Sequence, residues 1–131
     1  MVNETLAAMP VITADDAPTF EVAGTHVVGL AAPSRGATHT SAWRLTLAAG
    51  AASPAHTLSH EEVFVALRGR LQARYADIVE EVEAGGALIV RAGVEFTLVN
   101  PGEEPFEAVV ALPVGGQATV AGERLTPPWA E

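Results

Sequence analysis

Two histidines and a glutamate within seven residues, His56, His60 and Glu62, are the side chains of this chain best suited to chemistry. Imidazole and carboxylate groups bind divalent transition metals, and they also transfer protons. If residues 56–62 form one extended strand, the three side chains share a face, because alternate residues of a strand point to the same side. That spacing predicts a two-histidine, one-carboxylate metal site. If the chain reverses after Leu58, Glu62 lies on the next strand and can point back at His56.

The elements that must position these groups are short strands. The chain contains 12 Gly and 9 Pro, and the segments between them are short, rich in Val, Leu and Phe, and often alternating. The expected strands are residues 26–30, 42–47, 63–67, 71–75, 79–82, 87–90, 96–99, 106–112 and 117–120. Many short strands with regular turns are typical of an all-β sandwich or barrel.

Two glycine-bracketed segments resemble a known family. Residues 50–69 read GAASPAHTLSHEEVFVALRG, and residues 85–100 read GGALIVRAGVEFTLVN. In spacing they resemble the two signature motifs of the cupin superfamily, and the positions in register are Gly50, His56, Glu62, Gly69, Gly85, Gly93 and Asn100. The resemblance implies a small single-domain cupin, whose fold is a double-stranded β-helix or jelly-roll barrel.

The same resemblance implies a degenerate metal site. Family members bind metal through three imidazoles and a carboxylate, but Leu58 stands at the second histidine position and Phe96 at the histidine position of the second motif. Neither side chain has a donor atom. His56 and Glu62 remain, and His60 is the one further candidate. No cofactor is therefore predicted, with a divalent transition metal bound by His56, His60 and Glu62 as the alternative.

The resulting functional hypothesis is a barrel that binds a small organic ligand in its pocket. The expected pocket residues are His56, Leu58, Glu62, Phe64, Phe96, Asn100 and Trp43. An apolar hollow with a few polar anchors is the usual composition of a ligand site. The purely structural interpretation of His56 and Glu62 is a charge-assisted hydrogen bond between them. The roles of His26, His39 and Tyr75 stay open.

Two other classes of function are kept. One is an enzyme of oxygenase or isomerase type, either metal-dependent or transferring a proton between His56 and Glu62, the candidate catalytic residues. The other is a sensor or accessory barrel. The sequence does not decide whether the chain is an enzyme.

Composition indicates the domain plan. A chain of 131 residues with 49% hydrophobic residues is large enough for one barrel with a core. We expect an N-terminal arm over residues 1–18, the cupin barrel over 19–125, and a tail over 126–131. In the tail, Trp129 should pack on the barrel or on a partner subunit.

Charge and composition also limit the partners. The net charge of −9 disfavours nucleic acid and anionic membranes. The absence of cysteine and of a leader or spanning segment favours a cytoplasmic protein. The strand at 63–67 is apolar on both faces, so a homodimer is expected.

Overall fold

The computed structural model describes residues 8–131, which form twelve β-strands and two short 3-10 helices. The strands are β1 (Thr19–Val22), β2 (Thr25–Ala31), β3 (Thr40–Leu47), β4 (His56–Leu58), β5 (Glu62–Arg68), β6 (Arg70–Tyr75), β7 (Ile78–Glu83), β8 (Ala87–Val90), β9 (Thr97–Val99), β10 (Phe106–Pro113), β11 (Ala118–Val120) and β12 (Glu123–Leu125). The 3-10 helices are Pro33–Arg35 and Pro128–Ala130. Over the described range, no helix has the length and apolar character needed to span a membrane.

The strands form two antiparallel layers around one core. The first layer is a six-stranded sheet of order β1-β2-β3-β10-β5-β8. The second consists of two three-stranded sheets, β7-β6-β9 and β12-β11-β4. A bridge between His56 and Phe96 links β4 to the start of β9, so these two sheets lie side by side. The prediction of an all-β jelly-roll barrel is confirmed.

Strict alternation builds the core. On β3, Trp43, Leu45 and Leu47 are buried, whereas Arg44 between them is exposed. Successive side chains of a strand point to opposite faces, so one face of β3 lies inside and the other outside. Val110 of β10 pairs with Trp43 and is fully buried beside it. The central pair of strands therefore supplies much of the barrel interior.

All nine strands expected from the sequence are present, with ends that differ by at most two residues from those expected. The structure adds β1, β4 and β12, which have four, three and three residues. They form because neighbouring strands supply hydrogen-bonding partners.

The C-terminal tail packs against the barrel. The ring centroid of Trp129 lies 6.2 Å from that of Trp43 and 5.9 Å from that of Phe20. Arg35 fixes the tail by donating from Nη2 to the Trp129 carbonyl over 3.1 Å. At the other terminus, residues 1–7 of the expected arm lie outside the described residues.

In the single chain the outer face of β5, which the sequence predicts to be covered in a homodimer, is open to solvent. Val65 and Leu67 are 45% and 46% exposed. The described part of the N-terminal arm lies elsewhere, since the Pro18 carbonyl accepts a hydrogen bond from Gly29 of β2 over 2.8 Å. Residues 8–18 therefore do not cover the outer face of β5.

Candidate functional site

The candidate site lies where the chain passes from one layer to the other. β4 ends at Leu58, residues 59–61 form a bend, and β5 begins at Glu62. The Gly93 amide donates to the Leu58 carbonyl over 2.9 Å, which holds the bend against the segment before β9. The chain therefore reverses after Leu58, and the single extended strand over 56–62 is not found. The reversal leaves His60 exposed.

Glu62 is a buried carboxyl group that has no hydrogen-bonding partner among the described residues. Glu62 is 6% exposed, and it is paired with Val90 where β5 lies beside β8. Burial raises the pKa of Glu62 to about 8, because an ionised carboxylate is costly in apolar surroundings. Near neutral pH the group is mainly the uncharged acid.

His56 is a half-buried imidazole held by backbone. Its Nδ1 lies 2.8 Å from the Pro54 carbonyl, so Nδ1 carries the proton and donates it. Burial lowers the pKa of His56, and the hydrogen bond to Pro54 opposes that effect. The neutral ring keeps Nε2 as an acceptor. No hydrogen bond or ion pair joins His56 to Glu62 in the part of the chain that the structure describes, so the expected pair is not formed.

The residues present do not fit a metal ion of the type that the cupin motifs imply. Within residues 8–131 no three His, Asp or Glu side chains are close enough to hold an ion. Leu58 and Phe96 are buried at 3% and 2% exposure, and neither has a donor atom. His60 points its Nδ1 at the Ser59 hydroxyl, 2.7 Å away. The set of His56, His60 and Glu62 is therefore not assembled.

A cleft of about 420 Å³ opens between the β6–β7 hairpin and β8. Its lining is mostly apolar and consists of Ala73, Tyr75, Glu80, Glu81, Val82, Ala87, Leu88, Ile89, Val90, Arg91, Val94 and Phe96. Val90 is the cross-strand partner of Glu62, and Phe96 is that of His56. Directly paired side chains of antiparallel strands lie about 5 Å apart at Cβ. The cleft therefore ends beside the two polar groups.

Of the residues predicted to form the pocket, Phe96 lines this cleft. Trp43 and Phe64 belong to the closed core, with exposures of 2% each. They point inward on β3 and β5, as expected, but other core side chains fill the space in front of them. The open space lies instead at the edge of the two layers.

Asn100 has a structural role that differs from the expected ligand contact. Its Nδ2 donates to the carbonyls of Leu47 and Glu104 over 3.0 and 2.8 Å. Its Oδ1 accepts the Gly102 amide over 3.0 Å. Both N–H groups of the Asn100 amide are used in hydrogen bonds to backbone carbonyls, so this side chain fixes the turn between β9 and β10.

Tyr75 lines the cleft, although the sequence interpretation left its role open. Tyr75 shares strand parity with Leu71 and Ala73, which are both buried, and this shared inward face is the signal that could have identified it. His26 and His39 lie away from the cleft: His26 contacts Glu21, and His39 Nδ1 lies 2.9 Å from the Thr38 hydroxyl.

Comparison with known proteins identifies the family. Residues 43–112, more than half of the chain, match the family described as Cupin domain, and the chain belongs to it. The resemblance seen in the sequence is confirmed. A comparison with curated protein sequences gave no match.

Solved structures share the fold. An oxalate decarboxylase from Bacillus subtilis superposes with a TM-score of 0.73 at 13% identity, covering 85% of this chain and 31% of that one. The polyketide cyclase RemF from Streptomyces resistomycificus has a TM-score of 0.70 at 19% identity, covering 91% and 83%. An RmlC-like cupin from Shewanella frigidimarina has a TM-score of 0.67 at 14% identity, covering 81% and 91%. Identities this low show a common fold only.

Proposed function

We propose that this cupin binds a small organic molecule in the cleft beside Val90 and Phe96, without a metal centre. The observation that carries the proposal is Glu62, a buried carboxyl group that has no hydrogen-bonding partner within residues 8–131 and lies opposite Val90 of the cleft lining. A buried polar group without a hydrogen bond costs about 1–3 kcal/mol, and a ligand that supplies the bond recovers that cost. Mostly apolar walls with a few polar groups are typical of small-molecule sites.

The test uses a side chain that fills the cleft. Val94 lines the cleft and is 37% exposed, so Val94→Trp should fill space without disturbing the core. Val79→Trp is the matched control, because Val79 is 55% exposed and lies outside the lining. We expect hits from a small-molecule screen by ligand-observed NMR to lose binding in Val94→Trp and to keep it in Val79→Trp. Hits that bind both variants equally would contradict the proposal.

A second candidate is a metal-free enzyme in which His56 and Glu62 exchange protons with a substrate. Burial moves the pKa of Glu62 up and the pKa of His56 down, which favours an uncharged acid and an uncharged base in one site. RemF, which shares the fold, is a polyketide cyclase, so a cyclisation or an isomerisation is the first reaction to assay with this protein. His56→Ala should abolish turnover in an enzyme and only weaken affinity in a binding protein.

We also propose that the outer face of β5 and its neighbours binds a second copy of the chain. Val65 pairs with Val109 of β10 and with Ala87 of β8, which makes an apolar row across three strands. On the same outer face, the one acid of β10, Glu107, is paired with Arg44 at 2.6 Å and with Arg68 at 3.4 Å. Two copies can therefore approach here without the repulsion expected from a net charge of −9.

The dimer proposal has its own measurement. Val65→Asp should convert the dimer to monomer in size-exclusion chromatography with light scattering, because a charge would be buried in the interface. Val22→Asp is the control, since Val22 is 53% exposed on the distant edge strand β1. A wild-type monomer at high protein concentration would contradict the proposal.

The proposal places the protein in the cytoplasm, with no nucleic acid or membrane partner. A chain without cysteine needs no oxidising compartment to reach its fold. Its sixteen acidic residues against seven basic ones disfavour phosphate-rich partners.

A further inference from the structure

We infer that Tyr75 is the specificity residue of the cleft and selects uncharged aromatic molecules with a hydrogen-bond acceptor at one end. This inference rests on the proposed function, because it names the ligand class of the same cleft. It draws on the position of Tyr75, on the apolar walls and on the charges at the rim.

Tyr75 is placed to bind the polar end of a ligand. It is the last residue of β6 and is half-buried on the inward face, in line with Ala73. Its ring packs against the hydrophobic core, whereas its hydroxyl has no hydrogen-bonding partner in the described part of the chain. A partly buried tyrosine hydroxyl normally finds a partner, and here the partner can be a ligand atom in the cleft.

The walls of the cleft favour a flat apolar body. Val82 and Val90 are 7% exposed, and Phe96 is 2% exposed, so they form a closed apolar floor. Ile89 and Val94, at 56% and 37% exposure, line the open side. A planar ring system covers such surfaces at little entropic cost, because it has few rotatable bonds.

The rim disfavours anions. Glu80 and Glu81 line the cleft on β7, and Arg91 is the one cationic side chain in the lining of the described residues. Glu81 accepts hydrogen bonds from Gln72 over 3.0 Å and from Arg70 over 3.5 Å. Neither Glu80 nor Arg91 has an ion-pair partner in residues 8–131, so the lining holds two carboxylates against one guanidinium and carries a net negative charge. A carboxylate or phosphate entering the cleft would meet this charge.

Three probes with one ring system separate the possibilities. 2-Acetylnaphthalene is neutral with an acceptor, 2-ethylnaphthalene is neutral without one, and 2-naphthoate is an anion. By isothermal titration calorimetry we expect the acetyl probe to bind about fivefold more tightly than the ethyl probe, the value of one hydrogen bond. We expect 2-naphthoate to bind most weakly.

Two variants assign the selectivity to residues. Tyr75→Phe keeps the ring and removes the hydroxyl, so the preference for the acetyl over the ethyl probe should fall to about onefold. Glu80→Gln removes one rim charge and should strengthen 2-naphthoate binding by about twofold or more, mainly at low salt. Far-ultraviolet circular dichroism confirms that both variants remain folded.

The outcomes separate this inference from the proposed function. If Val94→Trp abolishes probe binding while Tyr75→Phe leaves the acetyl preference unchanged, only the role of Tyr75 is overturned. If 2-naphthoate binds the wild-type protein as tightly as the acetyl probe, or if none of the three probes binds, the ligand class is overturned. If every probe binds equally to wild type and Val94→Trp, the cleft is not the site and the proposed function fails as well.

Discussion

The imidazole of His56 lies against the phenyl ring of Phe96, with ring centroids 4.2 Å apart and an angle of 47° between the planes. Their backbones exchange two hydrogen bonds, from His56 N to Phe96 O over 3.0 Å and from Phe96 N to His56 O over 2.9 Å. Directly paired residues place their side chains on the same face. An aromatic ring therefore occupies the place where the second cupin motif has its histidine.

Restoring the missing donors should restore metal binding. The double substitution Leu58→His and Phe96→His places imidazoles on both neighbours of His56 and gives a set of three imidazoles and the Glu62 carboxylate. Imidazole nitrogens bind Zn²⁺ at about 2.0–2.1 Å, so the observed ring proximity is compatible with a shared ion. We expect Zn²⁺ or Ni²⁺ affinity, measured by calorimetry, to rise by at least about tenfold, or ~1.4 kcal/mol.

The single substitution Phe96→Leu is the control for the metal experiment, because it removes the ring and adds no donor. Metal affinity of the wild-type protein equal to that of the double variant would show that other donors complete the site.

Glu62 should make stability fall as the pH rises. Its pKa is about 8 in the folded chain against an ordinary value of 4.5, so the folded state binds the proton more tightly than the unfolded state. The contribution of this bound proton to the free energy of unfolding is fully present below about pH 4.5 and is lost as the pH rises through about 8. At ~1.4 kcal/mol per pKa unit it amounts to several kcal/mol.

Urea unfolding between pH 5 and pH 9 measures this effect, and Glu62→Gln should give a flatter stability curve across that range. Parallel curves for the wild-type protein and the variant would rule out a buried titrating carboxyl at this position.

Two glycines with the same backbone conformation should differ in how much stability is lost when each is replaced by alanine. Gly69 and Gly50 have φ of 74° and 73°, which is the left-handed region. An alanine at either position is therefore strained by about 1–2 kcal/mol. A Cβ at Gly69 would lie 2.7 Å from the Pro105 carbonyl oxygen, whereas at Gly50 it meets nothing within 4 Å. Gly69→Ala should therefore lower the free energy of unfolding more than Gly50→Ala. Equal losses would mean that β10 moves away freely.

Asn100 should matter for stability and not for ligand affinity. Asn100→Ala leaves the Leu47 and Glu104 carbonyls without their donor, at a cost of about 1–3 kcal/mol in urea unfolding. Gln72→Ala is a control that removes hydrogen bonds between exposed groups and should cost less than about 0.5 kcal/mol. Loss of ligand binding in a folded Asn100→Ala protein would contradict this prediction and show that Asn100 contributes to the ligand site.

The strands and the glycine frame were predictable because their signals are local. Alternation on β3 and β10 and the spacing of Gly50, Gly69 and Gly85 can be counted along the chain. The pocket was harder to predict, since Trp43 and Phe64 point inward as expected but are enclosed by residues distant in sequence.

The sequence by itself determined the cupin frame and the lack of donor atoms at Leu58 and Phe96, because side-chain chemistry and the two-residue period are properties of the chain alone. The tertiary structure decided the rest. It reversed the chain after Leu58, left His60 exposed, buried Glu62 with no hydrogen-bonding partner in residues 8–131, and opened the cleft between the β6–β7 hairpin and β8. These features depend on which strands pair across long sequence separations, and that choice is made by burial of the whole core.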